Sequence, residues 1–177
     1  MNAHRNIYLV GFMACGKTSV SAAMGRLFGN TIVEIDDEIV ARQGKSVNQI
    51  FAENAELYFR DLETDMLREI GEKDDVVVSC GGGIVLREEN IRLMKDHGFI
   101  VWLDATPETI LERVGDDDSR PNLRGRKTVE GIQELKMRRE PAYRAAADLH
   151  IHTDGKTIDE IARELRESVC RAGQSSI

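Results

Sequence analysis

No apolar run in this sequence approaches the ~20 residues of a membrane-spanning helix, so no membrane partner is expected. No basic tract is present either. Asp and Glu outnumber Lys and Arg by 31 to 24, a formal net charge of −7, which argues against a polynucleotide partner. Cysteines are few: Cys15, Cys80 and Cys170 show no metal-ligand spacing and cannot all pair, as expected of a reduced, cytoplasmic chain. Residues 1–5 lead straight into the first apolar segment, so no signal peptide is expected. His4, His97, His150 and His152 lack the spacing of a metal site and read as packing or surface residues, although His150 and His152 point to one side of a short strand. There is no internal repeat and no sign of a second domain. With 41% hydrophobic residues, residues 1–177 are expected to fold as one globular domain.

What is present starts with residues 6–19, Asn-Ile-Tyr-Leu-Val-Gly-Phe-Met-Ala-Cys-Gly-Lys-Thr-Ser. Ile7 to Val10 is an unbroken apolar run, as in a strand buried on both faces. A helical pattern begins at Lys17. Between them, Gly11-x-x-x-x-Gly16-Lys17-Thr18 matches the phosphate-binding loop in the strand-to-helix context that the pattern requires. Backbone N–H groups of Gly11, Met13, Ala14, Cys15, Gly16, Lys17, Thr18 and Ser19 and the helix N-terminus make an anion site. Lys17 reaches the outer phosphates of a nucleoside triphosphate, and the Thr18 hydroxyl ligates Mg²⁺. Cys15, just before a helix N-terminus, reads either as an activated thiol or as a small buried filler.

Hydrophobic periodicity then predicts strands at 31–35, 76–78, 99–103 and 149–152. Helices are predicted at 17–28, from a cap at Asp36-Asp37 to Arg42, from Ser46 through Phe51, and at 53–70, 88–95, 106–114, 128–147 and 158–169. Residues 173–177 are expected to fray. Regular alternation of strand and helix implies a three-layer α/β domain around a parallel sheet. Ligands of such sheets gather at the carboxyl ends of the strands. The phosphate loop, Glu34-Ile35-Asp36 and Gly81-Gly82-Gly83 all follow strands and should share one crevice.

Together these segments resemble the shikimate kinases, which phosphorylate the 3-hydroxyl of shikimate with ATP. The resemblance spans residues 7–169. It rests on the phosphate loop, Phe59-Arg60, Gly81-Gly82-Gly83, Arg120-Pro121-x-Leu123 and Arg138-Arg139-x-Pro141-x-Tyr143. It implies a P-loop kinase fold of the nucleoside monophosphate kinase-like kind: a parallel sheet of five strands with helices on both faces, a mobile lid at about 115–127, and a substrate-binding helical segment at about 36–62. It also implies ATP and shikimate as substrates, Mg²⁺ as cofactor, direct in-line transfer without a phospho-enzyme, a monomer, and a place in chorismate and aromatic amino acid biosynthesis.

Residue by residue, the resemblance makes Lys17, Asp36 and Arg120 catalytic. Asp36 contacts the substrate hydroxyls and takes the proton of the attacking one, a role suited to a carboxylate beside metal and phosphates; a helix N-cap is the plainer reading. Counting from Ile39 and Gly44 selects Asp36 over Asp37. Glu34 replaces an Asp that sits near Mg²⁺ in the family. It keeps the charge, and Mg²⁺ usually retains waters; a solvated strand end is the alternative. As neighbours but one on an extended chain, Glu34 and Asp36 should face one side, with Asp37 turned away or capping. Arg60 and Arg139 match two arginines that hold the substrate carboxylate through the planar fork of the guanidinium. Arg139 is preferred to Arg138 because it stands two before Pro141. Gly81, Gly82 and Gly83 leave bare backbone for close approach, Gly82 through its N–H.

Arg120 matches an Arg that reaches the transferring phosphoryl group, within a polar stretch suited to a lid. Asp116-Asp117-Asp118 reads as a solvated lid face rather than a metal site. Arg113 matches a residue that stacks on adenine. The adenine segment near Thr153-Asp154-Gly155-Lys156 fits loosely, with Ile158 where the family often has proline. Two rivals remain: another small-molecule kinase of this fold, for gluconate or a nucleoside, and a nucleotide-dependent switch or binding module. The paired arginines disfavour a nucleoside, and the sequence has no guanine-reading N-K-x-D for a switch.

Overall fold

The computed structural model describes residues 6–54, 56–115 and 127–174. Five strands, β1 (Asn6–Val10), β2 (Thr31–Glu34), β3 (Val76–Ser79), β4 (Gly98–Asp104) and β5 (Leu149–His152), form one sheet of order β2-β3-β1-β4-β5. All neighbouring pairs are parallel. Around it lie α1 (Lys17–Phe28), α2 (Ile35–Gln43), α3 (Val47–Glu53), α4 (Glu56–Gly71), α5 (Glu88–His97), α6 (Pro107–Val114), α7 (Val129–Ala146) and α8 (Ile158–Gln174), plus a 3₁₀ turn at Ile84–Leu86.

The central strand explains its own unbroken apolar run. Side chains alternate across a strand, and both faces of β1 are covered. Ile7 and Leu9 pack with Val20 and Met24 of α1 and Ile161 and Leu165 of α8. Tyr8 and Val10 pack on the opposite face with Phe59 and Ile70 of α4, Met94 of α5 and Tyr143 of α7. Asn6, fully buried at the start of β1, is satisfied on both sides of its amide. Its Nδ2 donates to the Ile70 and Lys73 carbonyls at 3.1 and 2.9 Å, and its Oδ1 accepts from Val76 N–H at 3.0 Å. That one side chain fixes how α4 returns into β3.

Helix boundaries follow local chemistry. Ser46 and Gln49 close a capping box on α3. Thr106 caps α6 ahead of Pro107, and Thr128 caps α7. Several boundaries differ from the sequence expectation. β2 stops at Glu34, and Ile35, fully buried, already opens α2. The N-cap of α2 is Glu34, so Asp36 and Asp37 do not cap; they occupy the first turn, where their charge complements the helix dipole. Asn54 ends α3 in an extended conformation, so the next helix begins at Glu56 rather than at residue 53. α8 continues to Gln174, past the expected end at 169, and residues 175–177 of the tail expected to fray lie outside the described residues. Pro141 lies inside α7; lacking an N–H, it leaves the Met137 carbonyl without its helical donor.

Candidate active site

The phosphate loop joins β1 to α1 beneath a crevice of about 590 Å³ at the carboxyl ends of the central strands. Met13, Ala14, Gly16, Lys17, Thr18 and Ser19 line it. Gly11 and Gly16 have φ of +142° and +107°, a region that residues with a Cβ rarely adopt. A Cβ at Gly11 would also meet the Leu103 carbonyl oxygen. Lys17 is folded back onto its own loop: Nζ donates to the carbonyls of Gly11 and Phe12, both at 2.9 Å. Cys15 is not on the crevice wall. It is fully buried in the apolar cluster of Leu9, Val20 and Met24, as a filler would be, while its Sγ also lies 3.8 Å from Lys17 Nζ.

Three carboxylates reach this crevice: Glu34, Asp36 and Asp37. Glu34 turns back onto α1, where Thr18 Oγ1 donates to its Oε2 at 3.1 Å and Ser21 Oγ to its Oε1 at 2.6 Å. The longer Glu side chain spans that gap. Asp36 opens into the crevice, yet enough protein surrounds its carboxyl that burial raises its pKa above the ordinary value. Lys17 opposes that rise, and Asp37 and Glu34 add to it. Glu34 and Asp36 do share the crevice as expected, though not by strand alternation, because the chain is already helical at Ile35. Asp37 was expected to turn away, and the helical turn instead brings it to the same wall.

The glycines after β3 are packed against charge. A Cβ at Gly81 would lie 2.7 Å from Glu63 Oε1 and 3.0 Å from Asp36 Oδ1. One at Gly82 would lie 3.3 Å from Arg139 Nη1, and one at Gly83 would collide with the Arg60 guanidinium. Close approach, not a left-handed backbone, is what demands glycine here. Arg60 is held from below, its Nη1 donating to Glu63 Oε2 at 2.6 Å and its Nη2 to Glu56 Oε1 at 2.9 Å. It also lines a smaller hollow of about 370 Å³ with Leu57, Leu86 and Arg87. Buried Asn90 braces the turn after the glycines, its Nδ2 donating to the Ile84 carbonyl at 3.1 Å.

From the other side comes α7. Lys136, Arg139 and Tyr143 follow one another at three- and four-residue spacing and therefore share a face. Lys136 donates to Asp104 Oδ1 at 2.7 Å and to the Ala105 carbonyl at 2.5 Å. Arg139 meets Gly82, and the Tyr143 hydroxyl donates to the Gly82 carbonyl at 2.5 Å. Arg138 is exposed and pairs with Glu134 on its own helix. The structure thus separates the two adjacent arginines, Arg139 toward the glycines and Arg138 toward solvent.

At the far end, Arg113 Nη1 bridges the Ala14 carbonyl and Thr153 Oγ1, both at 3.2 Å, with Ile158 on the same wall. Asp154 accepts from Thr106 N–H at 2.9 Å and from Thr106 Oγ1 at 2.9 Å. Burial raises its pKa, but hydrogen bonds from Thr109 and Thr106 outweigh this and bring it to about 2. Asp154 ties the loop after β5 to the start of α6. Arg120, Asp116-Asp117-Asp118 and all of the expected lid except Gly115 and Lys127 lie outside the described residues.

Sequence reasoning missed three groups. They are Ser21, which bonds Glu34, Tyr143, which bonds Gly82, and Glu63, which holds Arg60. Glu63 is fully buried, and its Oε1 has no hydrogen-bond partner. Burial raises its pKa, Arg60 opposes and Asp36 adds to the rise, leaving it at about 7.

Known proteins similar to this chain point to one family. The family model for shikimate kinase matches residues 13–170. A shikimate kinase from Persephonella marina is 44% identical over 91% of this chain and 96% of its own. The solved shikimate kinase from Acinetobacter baumannii in complex with shikimate superposes with a TM-score of 0.87 at 30% identity, covering 95% of this chain and 94% of that one. A gluconokinase from Sinorhizobium meliloti shares the fold alone, with a TM-score of 0.59 at 14% identity. A sequence match across most of the chain and a superposition covering nearly all of it agree on one answer: this chain belongs to the shikimate kinase family.

Proposed function

We propose that this chain is an ATP-dependent kinase that transfers the γ-phosphoryl group of ATP to the 3-hydroxyl of shikimate, giving shikimate 3-phosphate and ADP. The reading is carried by one convergence. The three glycines after β3 meet the Asp36 carboxylate on one side and the Arg60 and Arg139 guanidinium groups on the other, next to the phosphate loop. Two guanidinium groups suit a carboxylate substrate. A nearby carboxylate with a raised pKa suits proton removal from a hydroxyl.

In this mechanism the Gly11–Thr18 loop holds the phosphates, and Lys17 leaves its loop carbonyls to meet their outer oxygens. Arg60 and Arg139 orient the substrate acid against Gly82. The substrate oxygen attacks the γ-phosphorus while the bond to the β-bridging oxygen breaks, and its proton passes to Asp36. Arg120, from the lid at 115–127, stabilises charge on the equatorial oxygens. Thr18 and Glu34, 3.1 Å apart at the crevice wall, fit an Mg²⁺ ion; when bound, it would neutralise charge on the β- and γ-phosphates. Arg113 and Ile158 would bracket the adenine. A single-domain cytoplasmic monomer, with its substrate-binding segment at about 36–62, belongs to the same proposal; none of the described helices is long and apolar enough to cross a membrane.

A coupled assay of ADP release tests this. Shikimate should stimulate turnover and gluconate should not. Equal stimulation by gluconate, or slow ADP release indifferent to either acid, would overturn the reading.

A further inference from the structure

We infer that Asp104, His150 and His152 form a binding site for a divalent transition-metal ion of the zinc kind, at the carboxyl end of the β4–β5 edge. In the parallel pairing Asp104 stands beside His152 and Trp102 beside His150, so all four side chains emerge on one face of the sheet. Asp104 Oδ2 lies 3.7 Å from His150 Nε2 and 3.8 Å from His152 Nδ1, and the three ligand atoms all lie within 4.8 Å of one another. These separations are too long for hydrogen bonds. They are close to the ~3.3–3.6 Å between ligands that share a tetrahedral ion at ~2.0–2.2 Å. A contraction of a few tenths of an ångström brings Asp104 to that spacing from both imidazoles, and rotation of the exposed His152 ring sets the remaining separation, which is within 4.8 Å.

The surroundings hold two of the ligands in place. Trp102 stacks on His150 with ring centres 3.9 Å apart and planes within 5°. Lys136, itself nearly buried, occupies Asp104 Oδ1 at 2.7 Å and leaves Oδ2 turned toward the imidazoles. Outer partners of this sort orient the ligands of known metal centres. The positive charge of Lys136 is already matched by Asp104. Arg144, whose guanidinium lies 5.4 Å from the Trp102 ring centre, is paired with Glu140. His152 is exposed, which lets its ring close on an ion and leaves a further position to water. Two imidazoles and one carboxylate favour Zn²⁺, Co²⁺ or Ni²⁺ over Mg²⁺, so this set and the Thr18–Glu34 pair would sort different ions. Asp104, His150 and His152 do not line the phosphate crevice.

The chain contains one tryptophan, Trp102, and it is in contact with a candidate ligand. Co²⁺ titrated into the purified protein in excess Mg²⁺ should quench Trp102 emission saturably, with one equivalent bound by calorimetry, and Zn²⁺ should displace it. Losing an outer partner alone costs ~10–100-fold in metal affinity, so His152→Ala and Asp104→Asn should each weaken Co²⁺ binding by at least ~10-fold. His152→Ala should keep its shikimate-dependent ADP release, which shows that it is folded. Should Asp104→Asn fail to fold because Lys136 loses its partner, the exposed His152 decides alone. Absence of saturable quenching, quenching unchanged in His152→Ala, or displacement by millimolar Mg²⁺ would each overturn the site.

Discussion

Arg60 and Glu63 sit one turn apart on α4 and meet at 2.6 Å, with the Glu63 side chain wholly shielded from solvent. The pair aims the guanidinium at Gly83 and leaves the other Glu63 oxygen toward Gly81 and Asp36. Burial is the largest influence on Glu63, and its pKa rises from 4.5 to about 7. The folded chain therefore holds this proton more tightly than the unfolded chain. The resulting stability is fully present below pH 4.5 and is lost as pH rises through about 7. A shift of this size is on the order of 3 kcal/mol. Urea unfolding at several values between pH 5 and 8 should show the decline, and Glu63→Gln should flatten it. An unchanged slope in that variant would assign the titration elsewhere.

The adjacent arginines on α7 separate binding from surface charge. Arg139→Ala should raise KM for shikimate by about 10- to 150-fold, the cost of a charge-assisted hydrogen bond at roughly 1.5–3 kcal/mol, with the ATP KM little changed. Arg138, paired with Glu134 in solvent, should be nearly silent when replaced by Ala. The reverse pattern would shift the substrate register by one residue.

The carboxylates of the crevice should divide in their kinetic effects. Asp36→Asn should lower kcat by roughly 10²-fold or more, the range for a positioned acid–base group. Glu34→Gln should instead raise the Mg²⁺ needed for half-maximal rate, because its partner is Thr18. Asp37→Asn, which keeps the shape of a side chain without a hydrogen-bond role in the helix cap, should do little. Steady-state rates across a Mg²⁺ titration distinguish the three, and a crippled Asp37→Asn beside a healthy Asp36→Asn would contradict the assignment.

Thiol chemistry should report burial. Cys15 and Cys80 are buried and Cys170 is exposed, and burial pushes the Cys80 thiol well up. A chromogenic disulfide reagent should titrate one thiol quickly in the native protein and three in denaturant. Cys170→Ser should abolish the fast reaction and leave activity intact. Rapid inactivation of Cys170→Ser, prevented by MgATP, would restore Cys15 as a reactive group.

The parts read correctly from sequence were those in which local pattern and chemistry coincide. Gly11 and Gly16 bracket a loop whose backbone needs glycine, and Ile7–Val10 needs cover on two faces. Arg139 was preferred to Arg138 on the resemblance, in which the substrate arginine stands two before the proline, and α7 turns Arg139 toward Gly82 and Arg138 toward Glu134. Glu63 was invisible for a physical reason: a glutamate on an amphipathic helix normally faces water, and only the packing of α4 against Gly81 and Asn90, distant in sequence, buries it. The Asp36 boundary failed differently. Glu34-Ile35-Asp36 alternates like a strand, but the buried Ile35 is reached by a helical turn. His150 and His152 acquire a third neighbour only through the pairing of β4 with β5, which no spacing within one segment reveals.

The main-chain floor after β3 has a thermodynamic consequence. Gly81, Gly82 and Gly83 carry no rotamers, so a substrate resting on them has no side chains there to immobilise. Each flexible side chain ordered on binding would otherwise cost roughly 0.5–1.5 kcal/mol. Arg60, the long side chain that faces this floor from α4, is already clasped by Glu56 and Glu63. On the proposed reading, the acid end of the substrate enters a mould that is set beforehand. Recognition there should depend on shape and charge with little entropic penalty, and a methyl group added at Gly83 should abolish binding by displacing the Arg60 guanidinium rather than by filling the cavity.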